Sequence, residues 1–242
     1  QQKLIAVVMA DAYSAALLAK YEPATNTIHV LEENFESLAR ALKRPRLLSD
    51  EYVRVVVMHE LVHSVDQQEF HCLTDFARVK TTDELYVLNA LVEGHAQYVT
   101  RKILAAEKHE ALFREFEGQI TALPPGMEAG QKLLAKAAAA QAEFAYVHGQ
   151  AFFEALAATG KPTFVKDVFT APPKRKRTIL HPKEFYDPAL APAQRDFGEL
   201  WKEIEKDYEE GWPPRVVPIG ETELRATMSD FVEAGPLAPL VL

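Results

Sequence analysis

The chain has 242 residues, 48% of them hydrophobic and 26% charged, the composition of an ordinary soluble globular protein with one large domain or two small ones. Its formal net charge of −8 counts against nucleic acid or an anionic membrane as the main partner. Cys72 is the only cysteine, which excludes an intrachain disulfide and a thiolate-rich metal site, and no apolar stretch approaches the ~20 residues of a membrane span.

The chain starts at Gln1 rather than Met, as a trimmed or mature form would, and the expectation leans to an extracytoplasmic or secreted location over a cytoplasmic one. Residues 3–20 are rich in alanine and leucine and predict a helix. The run from Tyr21 to Asn26 reads as a turn on its proline and asparagine, and Thr27–Leu31 is the best strand candidate. Residues 32–42 return to a helical pattern, which Pro45 ends.

Ser49-Asp50-Glu51 supplies a cap and early acidic residues for a helix reaching about Gln68. Its Val53–Val57 stretch has strand propensity. Val53, Val57, Leu61 and Val65 nevertheless recur every four residues and predict the helix's apolar stripe. Thr81 and Glu84 form a capping box, opening a second helix whose expected buried face is Leu85, Leu88, Val92, Ala96, Val99 and Ile103.

Helices are expected over 107–118, 131–158 and 163–170. The proline-rich segment 171–193 reads as an ordered but irregular crossing, and its basic run Lys174–Arg177 as a solvated loop. Further helices are expected over 196–210 and 221–233.

The chemistry concentrates in His59-Glu60-Leu61-Val62-His63. Residues four apart on a helix share a face, so both imidazoles can reach one ion, and Glu60 stands close enough to hold a water bound to it. A chance match in a chain of this composition has a probability of roughly 3 in 100, so the pentapeptide needs support from its surroundings. A catalytic zinc takes three protein ligands and leaves a fourth position open. Glu93, in the middle of the second helix, is the expected third ligand, because a glutamate beside an apolar face is costly unless paired or metal-bound. Gly94 costs a helix interior about 1 kcal/mol against alanine, which fits a close approach by another helix or by substrate.

These residues resemble a known group. His59-Glu60-x-x-His63, followed by a helix bearing Glu93-Gly94-x-Ala96-x-Tyr98, is similar to the gluzincin zinc metallopeptidases, which include thermolysin and related aminopeptidases. Val92 stands where those aminopeptidases have asparagine, and the 30 positions from His63 to Glu93 are more than is usual there. A second resemblance is to small bacterial proteins regarded as zinc peptidases. It runs through Glu22–Val30, His59–Gln68, Leu91–Val99, Tyr146–Phe152 and Ile179–Pro182, most of residues 20–186.

A metzincin would place glycine at 66 and histidine at 69, where this chain has Asp66 and Glu69. His95, two residues from Glu93, points to another face and is expected at the surface or behind the ligands. Each ligand histidine needs an acceptor for its second N–H. Gln97, where thermolysin-like enzymes carry aspartate, and Asp66 are the candidates.

The resemblance implies a mainly helical α+β, zincin-like fold with a small β-sheet, an active-site helix and a glutamate helix. Residues 1–106 would be the metal-binding subdomain and 107–242 a helical subdomain completing the cleft, the two forming one compact unit. It also implies one zinc ion on His59, His63 and Glu93, and hydrolysis of a peptide or protein substrate with Glu60 as general base. The second donor for the developing oxyanion would be His181 or Tyr146, with Tyr186 a further option. Thr27–Leu31 would be the sheet edge that pairs with an extended substrate. The rival from another class is a binding or regulatory protein on the same scaffold, holding zinc with little turnover.

Overall fold

The computed structural model describes residues 17–79, 81–120, 122 and 129–191. The helices expected over 196–210 and 221–233, and residues 3–16 of the first one, lie outside the described residues. Those described are mainly helical, with a single two-stranded antiparallel sheet. No described helix is long and apolar enough to cross a membrane.

The described chain opens with a hairpin. Strand β1 (Ala19–Glu22) pairs with β2 (Thr27–Val30) in the register Tyr21↔Ile28. The turn between them ends on Asn26 in the left-handed region (φ 50°), which asparagine tolerates better than most residues. The expectation of helix through residue 20 is therefore wrong at Ala19 and Lys20. Ala19 and Tyr21 face inward while Lys20 is exposed, a period-2 pattern too short to outweigh the helix propensity of the alanines and leucines before it.

Helix α1 (Glu32–Leu42) follows, and a 3₁₀ turn at Pro45–Leu48 leads into α2 (Asp50–Phe70). The Ser49 hydroxyl accepts the Tyr52 N–H at 3.2 Å, the cap read in the sequence. α2 ends at His71, whose φ of 56° stops the helix. The predicted stripe on α2 holds only in part. Leu61 and Val65 are 52% and 57% exposed, while His59, Glu60, His63 and Asp66 are buried. The reason is geometric: each step of four residues turns about 40° past a full revolution, so a strict four-residue repeat winds off the core face within three steps.

Helix α3 (Thr82–Ala106) has the expected capping box, with Thr81 N–H donating to Glu84 and Glu84 N–H to the Thr81 hydroxyl. Leu88, Val92 and Ala96 are buried, but Leu85 and Ile103 at the ends of the expected face are exposed. The middle of α3 is instead enclosed on nearly every side from Val87 to Gln97, as befits a helix packed between layers. One core, built on Leu47, Tyr52, Val55 and Phe116, lies between α1, α2 and helix α4 (Glu110–Ile120). A second core, with Val87, Leu91, Phe152 and Phe153, lies between α3 and the later helices.

The long helix expected over 131–158 is one rod in three parts. Helix α5 (Ala129–Ala142) passes through a π-helical turn (Glu143–His148) into α6 (Gly149–Ala157). At its centre the rod meets α3 backbone to backbone. A Cβ on Gly94 would lie 2.3 Å from the Gly149 carbonyl carbon, and one on Gly149 would lie 2.2 Å from the Ala90 oxygen. This is the close approach that Gly94 implied.

Helix α7 (Phe164–Thr170) matches expectation. The proline-rich segment folds into the short helices α8 (Lys176–Leu180) and α9 (Lys183–Tyr186). Its basic run is not a solvated loop throughout. Lys176 is buried, its ammonium 3.4 Å from Asp83 and above the Tyr86 ring, and Arg177 pairs with Glu184 at 2.9 Å.

Gly94→Ala and Gly149→Ala are each expected to lower stability by about 3 kcal/mol through overpacking. Gly118→Ala, in α4 with nothing near the added methyl, is expected to gain about 0.5–1 kcal/mol. Urea unfolding midpoints of the three variants test this. Equal effects at Gly94 and Gly118 would show that the crossing is looser than described.

Candidate metal centre

The lower half of α2 turns its polar side inward because its neighbours supply partners there. His59 and His63, one turn apart, are 4% and 6% exposed, with ring centroids 4.7 Å apart. α3 crosses beneath and delivers Glu93 between them. Its Oε2 lies 3.0 Å from His59 Nε2 and 3.4 Å from His63 Nε2. The three sequence-chosen ligands thus converge through one oxygen and two Nε2 atoms. Two imidazole nitrogens and one carboxylate oxygen are donor types that zinc accepts. His59 Nε2 and Glu93 Oε2 are within hydrogen-bond distance, and His63 Nε2 lies close to the same oxygen.

The electrostatics show how strongly the trio is coupled. Burial disfavours the His63 imidazolium, but the Glu93 carboxylate beside it, with Glu60 and Asp66, outweighs that and raises its pKa to about 8. Burial would also raise the Glu93 carboxyl. The His63 and His59 rings reverse this and hold it well below the ordinary carboxylate range.

Glu60 is 9% exposed and offers a carboxylate oxygen within 4.8 Å of a ring nitrogen of each of His59 and His63. Its Oε2 accepts the backbone N–H of Tyr21 at 2.7 Å. That contact was invisible in the sequence, since a main-chain amide carries no residue signature. It places β1, the partner of the Thr27–Val30 strand, against Glu60.

Tyr146 comes to the site. Its half-buried ring stacks on His59 at 5.8 Å and 23°, carried there by the π-helical turn just before Gly149. Phe116 of α4, unmarked in the sequence, meets the His59 ring edge-on at 5.7 Å. His181 follows α8. Its N–H donates to the Arg177 carbonyl at 2.8 Å, and its carbonyl accepts from Glu184, contacts that seat it in its own segment. Tyr186 donates its hydroxyl to Asp167 at 3.0 Å, with its pKa pushed up to about 12 by burial and that carboxylate.

Two expectations about supporting residues need correcting. Asp66 does not serve His63; its Oδ2 lies 2.7 Å from His95 Nδ1. His95 is accordingly not a surface group but is 7% exposed, enclosed by Tyr98, Phe153 and Phe169. The sequence places Asp66 one turn beyond His63 but cannot show that α3 offers it a nearer imidazole. Gln97 is fully buried, yet neither of its amide atoms is hydrogen-bonded among the described residues, and the same holds for Nδ1 of His59 and of His63.

No family model matches the chain, and no curated protein or solved structure matches it either.

The His63–Glu93 coupling predicts a specific pH profile for chelator-treated protein. The folded His63 pKa of about 8 lies above the ordinary 6.5, so its stabilisation is whole below pH 6.5 and is lost as pH rises through 8. Glu93 acts in the opposite sense, its contribution being present above about pH 4.5 and lost as pH falls towards its depressed value. Urea midpoints in EDTA should therefore peak between about pH 4.5 and 6.5 and decline towards pH 9. A flat profile from pH 6.5 to 9 would contradict the coupling. Asp66→Ala, which strands a buried histidine, is expected to cost about 3 kcal/mol by the same measurement.

Proposed function

We propose that the chain is a zincin-like zinc metallopeptidase of the gluzincin kind, hydrolysing peptide bonds. The observation that carries this reading is the convergence of His59 Nε2, His63 Nε2 and Glu93 Oε2 at 3.0 and 3.4 Å, with Glu60 alongside. These three atoms would hold one zinc ion. When bound, the metal lowers the pKa of a coordinated water and polarises a carbonyl. Glu60 takes the proton from the attacking water and returns it to the leaving amine. Tyr146, stacked on His59, is the better-supported donor for the oxyanion; His181 is the other.

One observation favours the rival reading of a zinc-holding binding or regulatory protein. His59, His63 and Glu60 are all at most 9% exposed, which suits a structural ion more than an open catalytic cleft. The place of Glu60 weighs the other way, with a carboxylate oxygen within 4.8 Å of both histidines, where a base would stand.

Purified protein is expected to carry one zinc per chain, with affinity rising as pH increases towards 8 because the His63 proton must leave. Glu93→Ala should lose most of that zinc. Glu60→Gln should keep it while peptide-library turnover falls by about 10²–10⁴-fold, and Tyr146→Phe should lower turnover by a smaller factor. Zinc without any cleavage, and indifferent to Glu60→Gln, would decide for the binding protein. Zinc absent altogether would remove both readings.

A further inference from the structure

The hairpin does more than flank α2. The Leu31 N–H donates to the Leu18 carbonyl, so the hydrogen-bonded pairs of the hairpin alternate through Lys20↔His29 and Glu22↔Thr27. Tyr21 therefore turns its N–H away from β2, towards α2, where Glu60 Oε2 meets it at 2.7 Å. Both groups are buried, Tyr21 at 5% and Glu60 at 9% exposure.

The strand is itself braced at this point. The Tyr21 hydroxyl donates to Asn26 Oδ1 at 3.0 Å, and the Ser64 hydroxyl, one turn beyond Glu60 on α2, donates to the same oxygen. Asn26 thus links the Tyr21 side chain and α2 through one oxygen.

We infer that the Tyr21 backbone amide is a positioning group for Glu60. It fixes one carboxylate oxygen and so sets the rotamer of the base, leaving Oε1 to take the proton in the reaction. This rests on the peptidase reading for its catalytic sense, while the hydrogen bond itself stands independently. A charged acceptor gripped by a rigid main-chain donor loses little freedom at reaction, whereas a free glutamate side chain has three torsions to arrange. The geometry also makes Glu60 the anchor of the hairpin, so its removal releases β1 as well as the base.

Amide hydrogen exchange at Tyr21 tests the anchor without reference to activity. Protection should fall at least 10-fold in Glu60→Ala and persist in Glu60→Gln, whose carbonyl oxygen still accepts. Equal protection in parent and Glu60→Ala would overturn the inference whether or not the protein is a peptidase. Replacing Tyr21 by its α-hydroxy acid then removes the N–H, and the Lys20 carbonyl, now an ester's, remains a weaker acceptor facing His29. Zinc content should stay at the parent value while turnover drops about 10- to 100-fold with KM little changed, the factor for losing a hydrogen bond to a charged group. An ester variant with parental turnover would refute the positioning role and leave the peptidase reading standing. A parent that cleaves nothing would remove that reading and the catalytic role of the amide, leaving exchange to judge the anchor.

Discussion

Everything at the candidate centre depends on how near α3 comes to the rod formed by α5, the π-helical turn and α6. Gly94 and Gly149 let two helix backbones touch where any side chain would meet main-chain atoms at 2.2–2.3 Å. Each glycine costs its helix about 1 kcal/mol in propensity, and the gain is contact along two full backbones. Glu93 precedes Gly94, and Tyr146 lies about one turn before Gly149. A single crossing therefore seats both the carboxylate that bridges the two imidazoles and the ring that stacks on His59.

The second constraint is electrostatic. α2 buries Tyr52, Val55 and Val56 in its first half, but further on it buries His59, Glu60, His63 and Asp66 while exposing Leu61 and Val65. Burying that many ionisable groups is tolerable only when each finds a partner. Glu93 answers His59 and His63, His95 answers Asp66, and the Tyr21 amide answers Glu60. Two helices and one strand are thereby tied at three points. The candidate site and the join between these elements are the same set of contacts.

Much of this was legible in the sequence where local rules decide. The Ser49 cap, the Thr81–Glu84 capping box and the four-residue spacing of His59 and His63 all act within a turn or so of helix, and the structure contains each of them. Glu93 was recognisable because an acid in an enclosed helix needs a cationic or metal partner, and Gly94 because a helix rarely keeps a glycine that nothing approaches. The strand at Ala19–Glu22 was hidden by the helix-forming composition before it. The apolar face of α2 was misjudged because a period of four drifts against one of 3.6.

The sequence by itself determined the two long helices α2 and α3, their N-terminal caps and the shared face of His59 and His63, since these follow from propensity, capping and spacing within one segment. Only the tertiary structure decided that Asp66 turns to His95 rather than His63, that Tyr146 lies against His59, and that a main-chain amide of β1 grips Glu60. Those choices depend on which group another segment brings nearest. A backbone N–H looks alike at nearly every position of a sequence until folding aims one of them at a carboxylate.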